Sequence, residues 1–362
     1  MSANPVNING QIVGSGHPPY IIAEMSGNHN GDLQRALALV EEAKTAGADA
    51  IKLQTYTADS ITINHDSPEF KIKEGLWDGY TLYELYKEAH TPREWHKKLF
   101  DKAQEIGLTA FSSPFDATAI EFLEELDCPA YKIASFEIVD LPLIESAART
   151  GKPLILSTGM ADEIEIWDAV HTARSAGCRD LILLHCVSGY PTPPDELNLL
   201  TIPDMADRFN VSVGLSDHTL GMAASVCSIS LGACIIEKHF TLNRTDGGPD
   251  AAFSLEPNEL KTLVNDCRDA WSALGNANYL KKQSEHSNLK FRRSVYVVED
   301  IKEGDVFNNS NVRIIRPGYG MAPKNLKNIL GKQAVTDLPR GTALKTDHIK
   351  FISKTDGDEN HE

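Results

Sequence analysis

Residues 20–54 read YIIAEMSGNHNGDLQRALALVEEAKTAGADAIKLQ, and this stretch decides the fold class. Two short apolar runs at 20–25 and 49–54 flank a segment at 33–47 whose apolar residues recur at helical spacing. That segment ends in Gly47, and glycine commonly ends a helix because it adopts the left-handed conformation without strain. A strand, a helix and a second strand in this order predict a parallel βαβ unit.

The same alternation recurs through the first 275 residues or so, with another helical segment at 163–177. The predicted strands lie at 20–25, 49–54, 108–112, 130–135, 153–157, 180–185, 211–216 and 234–239. Eight such units match a (β/α)8 TIM barrel, which typically takes about 250 residues. A doubly wound sheet is the alternative, but it would usually need fewer strands and a GxGxxG first turn, whereas the first turn here is GNHNGD. We therefore predict the barrel.

The composition is that of an ordinary globular protein, with 41% hydrophobic and 24% charged residues. The net charge of −16 argues against nucleic acid or an anionic membrane as the main partner, so an anionic substrate would need a locally basic pocket. The sequence has no apolar run of the roughly 18 residues that a membrane span needs. The six cysteines form no CxxC pair and residues 1–19 lack a signal-peptide pattern, so we expect a cytoplasmic protein with reduced thiols.

The charge is unevenly distributed, because residues 1–290 carry a net −18 and residues 291–352 a net +5. We predict a barrel domain at 1–275, a linker at 276–290, a small second domain at 291–352 and a flexible tail at 353–362. The opposite charges suggest that the small domain docks on the large one, within a chain or between chains. An accidental composition is the alternative.

Polar side chains gather at the carboxyl ends of the predicted strands, which is where TIM-barrel active sites lie. These side chains are Glu24, Asn28, Lys52, Gln54, Ser112, Ser113, Lys132, Ser135, Glu137, Ser157, His185, Ser188, Tyr190, Ser216, His218, Glu237, Lys238 and His239. Any one of them could be a helix cap or a satisfied core group. Eight convergent strand ends instead predict a charged cavity.

Two lysines, Lys52 and Lys132, end the second and fourth predicted strands and would point into the barrel mouth. A buried lysine is costly without an anionic partner, so we expect the pair to hold a phosphate or a phosphate plus a carboxylate. The hydroxyl groups expected around them belong to Ser112, Ser135, Ser157, Ser188 and Ser216. A Schiff base with a carbonyl substrate is the other chemical role, and pairing with Glu24 and Glu137 is the purely structural one.

Two histidines, His218 and His239, follow adjacent predicted strands, which lie about 4.8 Å apart and so allow both rings to share a cation. With two histidines and no cysteine expected nearby, an open site is favoured over a closed structural zinc site. Such a site suits Mn²⁺, with Mg²⁺ or Co²⁺ as alternatives. Glu24, Glu137 and Glu237 are the candidate bases for adding water to a carbocation-like centre.

Motifs along nearly the whole chain, residues 10–352, resemble those of the sialic acid synthase family. In the barrel they are IIAEMSGNHNGD, IKLQTY, FSSPFD, YKIASFE, STGM, HC-x-SGYPTP, GLSDHT and EKHF. Three further motifs resemble the family's antifreeze-like (SAF) domain: FRRSVYVVEDIKEGD, RIIRPGYG and LPRGTALKTDHI. The resemblance implies a TIM barrel followed by a small, mostly β SAF domain of the β-clip type.

Within the family, residues 70–96 resemble the pseudaminic acid synthase branch, and residues 64–80 depart from the neuraminate pattern. The resemblance implies condensation of phosphoenolpyruvate with open-chain 2,4-diacetamido-2,4,6-trideoxy-L-altrose and water. The products would be pseudaminic acid and phosphate, released by C–O cleavage. The nearest alternatives are an N-acetylneuraminate or a legionaminate synthase. A non-catalytic carbohydrate-binding protein is the alternative from another class.

The resemblance also implies roles for individual residues. Phosphoenolpyruvate would be held by Lys52, Ser112, Lys132, Ser135, Ser157, Ser188 and Ser216, although neuraminate synthases tend to have Asn where this chain has Ser188. The sugar would contact Glu24, Gln54, Tyr190, Asp250 and Arg316. His218 and His239 would bind a divalent metal, and Glu137, with Glu24 as second choice, would activate water.

Arg316, in an RPG turn of the small domain, matches the family arginine that reaches into a partner subunit's barrel to touch an N-acyl group. This match implies a domain-swapped homodimer. Without the resemblance, an arginine beside a proline–glycine turn would be interpreted as a solvated loop residue.

Overall fold

The computed structural model describes residues 4–350, so the predicted tail at 353–362 lies outside the described residues. The chain divides into two compact units, Met1–Gly275 and Asn276–Glu362. The predicted linker at 276–290 belongs to the second unit. Most of a 3-10 helix at Gln283–Phe291 lies within this predicted linker. Over residues 4–350, no helix combines the length and the apolar character that crossing a membrane requires.

The first unit is built around a closed barrel of parallel strands. A short antiparallel hairpin precedes it, formed by β1 (Val6–Ile8) and β2 (Gln11–Val13). The barrel strands are β3 (Tyr20–Glu24), β4 (Ala50–Thr55), β5 (Thr109–Pro114), β6 (Tyr131–Ile133), β7 (Leu154–Ser157), β8 (Leu181–Cys186), β9 (Ser212–Ser216) and β10 (Ile235–His239). They pair in chain order, and β10 closes the barrel on β3. The predicted TIM barrel is confirmed, and every predicted strand lies within two residues of an observed one.

Helices cover the outside of the barrel. They are α1 (Leu33–Ala46), α2 (Ala58–Ile61), α3 (Leu82–Ala89), α4 (Arg93–Glu105), α5 (Ala117–Glu125), α6 (Leu141–Arg149), α7 (Glu163–Ser175), α8 (Thr201–Phe209), α9 (Ala223–Ser230) and α10 (Pro257–Leu274). Helix α1 begins where Asp32 accepts a hydrogen bond from the backbone of Gln34. It ends at Gly47, whose φ of 90° is the left-handed conformation that the sequence predicted there.

The connection from β4 to β5 is long, at residues 56–108, and carries α2, α3 and α4. Its segment 62–81, which the sequence did not resolve into elements, contains a one-turn 3-10 helix at Pro68–Phe70 and a bridge between Lys71 and Thr81. The segment belongs to the carboxyl-end face of the barrel because it follows β4 directly.

The second unit has its own apolar core, which includes Val295, Phe307, Val312 and Leu344. Its elements are β11 (Ser294–Val297), β12 (Val312–Ile315), α11 (Leu326–Ile329), β13 (Gln333–Ala334) and β14 (Ile349–Lys350). Strands β11 and β12 form one antiparallel pair, and β13 and β14 form another. The unit is small and mostly β, as predicted.

Candidate active site

The barrel mouth holds a buried cluster of two lysines and two glutamates. Lys52 Nζ lies 2.9 Å from a Glu24 carboxylate oxygen and 3.3 Å from Glu237 Oε1. Lys132 Nζ also lies 3.3 Å from Glu237 Oε1. The purely structural interpretation had paired the lysines with Glu24 and Glu137, and it is wrong for Glu137, because Glu237 lies between both ammonium groups.

The surroundings of Glu24 and Glu237 give their carboxyl groups different pKa values. Burial raises the pKa of Glu24, although Lys52 opposes the change. Burial would also raise the pKa of Glu237, but Lys132 and Lys52 lower it well below its ordinary value. Glu237 therefore remains an anion between two cations, while Glu24 readily takes up a proton. With Glu24 protonated, this cluster carries a net positive charge, as an anion-binding pocket requires.

Ser113, rather than the predicted Ser112, faces this cluster. In the pairing of β4 with β5, Gln54 is level with Ser113, and Lys52 Nζ donates a hydrogen bond of 3.3 Å to Ser113 Oγ. Side chains alternate between the faces of a strand, so Ser112 points outward. It pairs there at 2.6 Å with Thr55 Oγ1, which is 2.9 Å from His96 Nε2 on α4.

Ser112 therefore belongs to a hydrogen-bonded chain between the barrel and α4. His96 Nδ1 lies 3.1 Å from the Pro92 carbonyl oxygen, which can only accept, so Nδ1 carries the ring proton and Nε2 accepts from Thr55. Thr55 Oγ1 then accepts the hydroxyl proton of Ser112. The predicted contact between Ser112 and an anion in the mouth does not fit this structure. The Ser112 side chain points away from the mouth, and its one hydroxyl proton is already donated to Thr55.

The other predicted serines lie around the mouth. Ser157 Oγ is buried without a hydrogen-bond partner among residues 4–350, and Ser216 Oγ donates to Glu237 Oε1 over 3.4 Å. The backbone N–H of Gly159 donates to Ser135 Oγ over 3.2 Å. A Cβ at Gly159 would displace Ser188 Oγ and Ser135 Oγ, so glycine leaves room for these two side chains to converge. Ser157 thus has an unused hydroxyl donor among the described residues, whereas Ser216 already donates to the glutamate that contacts both lysines.

The histidine pair assembles as predicted. The ring centroids of His218 and His239 lie 5.4 Å apart. His218 Nδ1 donates to the Val187 carbonyl oxygen over 3.1 Å, which leaves the lone pair of Nε2 free. His239 Nδ1 is buried without a hydrogen-bond partner in the described part of the chain, and burial together with nearby cations lowers the pKa of this ring well below its ordinary value.

His239, which burial keeps neutral, and His218, whose Nδ1 donates to Val187, fit a divalent cation that completes its coordination with water and substrate oxygens. Burial would lower the pKa of His218, but its contact with Cys186 raises it, so metal binding at this ring competes with a proton. Among residues 4–350, no group of three or more His, Cys, Asp or Glu side chains has metal-binding geometry. The expectation that no cysteine lies near the histidines is wrong. Cys186 Sγ lies 3.8 Å from His218 Nδ1, on the side of the ring that faces the Val187 carbonyl oxygen.

A polar strip runs beside the histidines. Gln54 Nε2 donates to Glu24 Oε1 over 2.8 Å and lies 3.1 Å from Ser26 Oγ. Ser26 in turn donates to Asp250, whose Oδ2 lies 3.9 Å from His239 Nδ1. Three of the predicted sugar contacts are thus joined through Ser26, which was not among the predicted site residues. The strip offers the carboxylate and amide groups that bind hydroxyl and acylamino substituents.

An aromatic wall completes the site. The Tyr190 ring lies 4.5 Å from His218 and 5.2 Å from Phe253. Trp77, from the segment 62–81, lies 5.7 Å from Tyr190, and its indole N–H donates to the Pro249 carbonyl oxygen over 2.8 Å. Tyr190 was predicted, whereas Trp77 and Phe253 were not, because only the folded loops bring them to the histidines.

Glu137 occupies a separate position in a 3-10 turn after β6. One of its carboxylate oxygens is buried without a hydrogen-bond partner in the described residues. Burial raises the pKa of Glu137 to about 7, against the opposing effect of Lys132. A carboxyl group that titrates near neutrality suits a general base. Arg316, the remaining predicted residue, lies exposed in the second unit.

A cleft of about 660 Å³ opens at the other end of the barrel, beside Asp49 and Thr109. Asp49 accepts hydrogen bonds from Gln11, Arg268 and the backbone of Ile21. Those contacts tie the hairpin and α10 to the barrel floor, and the amino ends of barrel strands serve stability rather than chemistry. The strand carboxyl ends therefore remain the candidate active site.

Known proteins with the same architecture include acid-sugar synthases. Pseudaminic acid synthase of Campylobacter jejuni is 47% identical over 326 residues, which cover 90% of this chain and 95% of that protein. Pseudaminic acid synthase of Helicobacter pylori is 45% identical over 334 residues, which cover 92% of this chain and 98% of that protein. The crystal structure of N-acetylneuraminic acid synthetase from Leptospira borgpetersenii in complex with citrate has a TM-score of 0.71 and 32% identity, and the match covers 80% of this chain and 96% of that one.

Family models agree with these relatives. The model of the SAF domain matches residues 292–350. The model of the NeuB family matches residues 39–279, which include most of the barrel. The chain belongs to the NeuB family, with a SAF domain at its carboxyl end.

Proposed function

We propose that this protein condenses phosphoenolpyruvate with open-chain 2,4-diacetamido-2,4,6-trideoxy-L-altrose and water, giving pseudaminic acid and phosphate. The observation that carries the proposal is the buried cluster of Lys52, Lys132 and Glu237 next to the facing histidines. The identities of 47% and 45% with pseudaminic acid synthases, against 32% with the neuraminic acid synthetase, support the choice of sugar.

Lys52 and Lys132 bind the phosphate and carboxylate groups of phosphoenolpyruvate, assisted by hydroxyl groups of the mouth. We assign this task to Ser113, Ser135, Ser157, Ser188 and Ser216. When Glu24 takes up a proton, the cluster loses one negative charge, which lowers the electrostatic repulsion of a multiply charged anion. Gln54, Tyr190 and Asp250 orient the sugar so that its aldehyde carbon faces C3 of phosphoenolpyruvate.

His218 and His239 would hold the divalent metal, for which we propose Mn²⁺, with Mg²⁺ or Co²⁺ as alternatives. When bound, that ion supplies Lewis-acid polarisation of the aldehyde. The bond from His218 Nδ1 to Val187 orients that ring with Nε2 available to the metal, and burial keeps the His239 ring neutral, as a metal ligand requires.

The bond changes require one base. The C2–C3 double-bond electrons of phosphoenolpyruvate form a bond from C3 to the aldehyde carbon, the C=O pair moves to the aldehyde oxygen, which takes up a proton from solvent to become a hydroxyl group, and positive charge develops at C2. Glu137 removes a proton from water as the water oxygen bonds to C2. The resulting tetrahedral centre breaks its C2–O bond to phosphate, the remaining hydroxyl loses its proton, and a 2-keto acid and inorganic phosphate are left.

Release of inorganic phosphate from phosphoenolpyruvate tests the reaction class. We expect release that needs both the trideoxy sugar and a divalent metal and that stops when a chelator is added. His218→Ala and His239→Ala should each largely abolish turnover. Absence of phosphate release with any candidate sugar and metal would instead favour a carbohydrate-binding protein with an inactive barrel.

We also propose a homodimer in which Arg316 of one chain completes the sugar site of the other. The exposure of Arg316 and the positive charge of its domain support this arrangement. Arg316→Ala and His218→Ala should each be nearly inactive alone. After subunit exchange, their mixture should regain about a quarter of the wild-type activity, because half of the dimers then contain one intact site. A fully active monomer, or no recovery on mixing, would contradict the proposal.

A further inference from the structure

A second buried ion pair lies directly behind the histidines and has no role in the reaction as proposed. Lys238 Nζ is 2.9 Å from Asp217 Oδ2, and the two side chains are 1% and 0% exposed. Each residue immediately precedes one histidine in the chain, since Asp217 precedes His218 and Lys238 precedes His239. The most buried ion pair of the site region is thus adjacent in sequence to both rings.

The pair lies outside the barrel and cannot touch substrate. Glu237 faces the interior, where it contacts Lys52 and Lys132, and side chains alternate along β10, so Lys238 points outward. Asp217 accepts a hydrogen bond from Ser225 on α9, which also lies on the outer side. The ion pair therefore occupies the layer between the strand ends and the helices.

Its hydrogen bonds hold both flanks of His218. Asp217 Oδ1 accepts from the backbone N–H and from the hydroxyl group of Thr219, each over 2.8 Å. Lys238 Nζ donates to the Thr219 carbonyl oxygen over 2.7 Å. The residue before His218 and the residue after it are thus bound to one ammonium group, and that group belongs to the residue before His239.

We infer that Asp217 and Lys238 are positioning residues that fix the separation of His218 and His239, an inference that rests on the metal-binding role proposed for these histidines. A buried ion pair contributes little net stability compared with apolar residues of similar size, whereas it can specify one arrangement of the chain. Here the arrangement specified is the geometry of two strand ends. Without the pair, the backbone bond from Asp217 to the Glu237 carbonyl oxygen remains, but Thr219 loses its link to β10 through Lys238.

The test compares metal affinity with stability. The double variant Asp217→Asn with Lys238→Met removes both charges without leaving one unpaired. We expect it to bind Mn²⁺ roughly 10- to 100-fold more weakly than the wild-type protein, as measured by isothermal titration calorimetry with Mn²⁺ alone, since residues that orient metal ligands have effects of this size. Its melting temperature without metal should stay within a few degrees of the wild-type value.

A milder variant covers the case in which the double variant does not fold. Thr219→Val keeps the shape of the side chain and both backbone bonds but removes the hydroxyl donor to Asp217. We expect Mn²⁺ binding that is weaker by several-fold. Arg149→Met with Glu145→Gln, which removes an ion pair on α6 elsewhere in the barrel domain, is the control and should leave Mn²⁺ affinity unchanged.

If the double variant binds Mn²⁺ with wild-type affinity, the inference is overturned and the ion pair is a purely structural feature. If the double variant does not fold, wild-type Mn²⁺ affinity in Thr219→Val has the same meaning. His218→Ala separates this failure from failure of the proposed function. If His218→Ala also binds Mn²⁺ with wild-type affinity, then the metal site itself is wrong and the inference is overturned with it.

Discussion

At the scale of single residues, the site sets three identical carboxyl groups to different protonation states. Glu237 is an anion because two ammonium groups contact it. Glu24 contacts one ammonium group, and burial raises its pKa. Glu137 contacts none, so burial raises its pKa to about 7. Contact with two ammonium groups thus keeps Glu237 ionised, whereas burial lets both Glu24 and Glu137 accept a proton near neutral pH.

Glu137→Gln should stabilise the protein at pH 8 and leave its stability nearly unchanged at pH 4. A folded-state pKa of about 7, above the ordinary value of 4.5, means that the folded state binds the proton more tightly. Stability is therefore lost as the pH rises from the unfolded value to about 7, by an amount on the order of 2–3 kcal/mol. Glutamine mimics the protonated form and removes this loss. Thermal unfolding without substrate at the two pH values measures it.

The same substitution should lower kcat by roughly 10²- to 10⁴-fold, the usual range for loss of a general base, with a smaller change in KM. In the wild-type protein kcat/KM should fall as the pH drops below about 7, because the base of the free enzyme becomes protonated. A variant whose KM rises while kcat persists would make Glu137 a binding residue. Equal stability at pH 8 would show that its carboxyl group is not the perturbed one.

Ser113→Ala and Ser112→Ala form a matched pair on opposite faces of β5. Ser113→Ala should raise KM for phosphoenolpyruvate roughly 10- to 100-fold, because it removes a hydroxyl group beside Lys52 that would bond to a charged ligand. Ser112→Ala should change that KM less than two-fold and instead lower stability by about 1 kcal/mol, since it breaks the chain to His96. Steady-state kinetics and thermal unfolding separate the two, and the opposite ranking of KM values would contradict the assigned register.

At the scale of secondary-structure elements, the strands were predictable and the loops were not. Short apolar runs in the sequence indicate the strands. Because side chains alternate between the two faces of a strand, placing Lys52 inside the barrel would have selected Ser113 over Ser112. The same rule points His185 outward, where its Nε2 contacts the Leu197 carbonyl oxygen, and Cys186 inward. Trp77 and Ser26 had no such signal, because their place depends on contacts between residues distant in the chain.

The segment 62–81 should act on the sugar and not on phosphoenolpyruvate. Trp77→Ala removes the ring that packs on Tyr190 and the indole bond to Pro249. We expect KM for the sugar to rise about ten-fold, the effect of losing one aromatic contact, while KM for phosphoenolpyruvate changes less than two-fold. Trp167→Ala, which removes a tryptophan packed on Phe209 between α7 and α8, is the control. An equal rise in both KM values would contradict a sugar-specific role.

At the scale of the whole molecule, the net charge of −16 gives no sign of the basic groups that the proposed site uses. An acidic barrel domain has two buried lysines at its mouth, and a basic small domain presents Arg316 at its surface. The sequence predicted this division because charge and composition are additive along the chain. It did not predict the ion pair of Asp217 and Lys238, since two polar residues next to histidines are indistinguishable from caps until the strands are paired.

The most direct test of the proposed function is a competition between sugars. The protein would be given phosphoenolpyruvate, a divalent metal and equal concentrations of 2,4-diacetamido-2,4,6-trideoxy-L-altrose, N-acetylmannosamine and the legionaminate precursor, and the nine-carbon products would be distinguished by mass spectrometry after chromatographic separation. We expect pseudaminic acid to be the main product, with one phosphate released per molecule. N-acetylneuraminic acid or a legionaminic acid as the main product would contradict it.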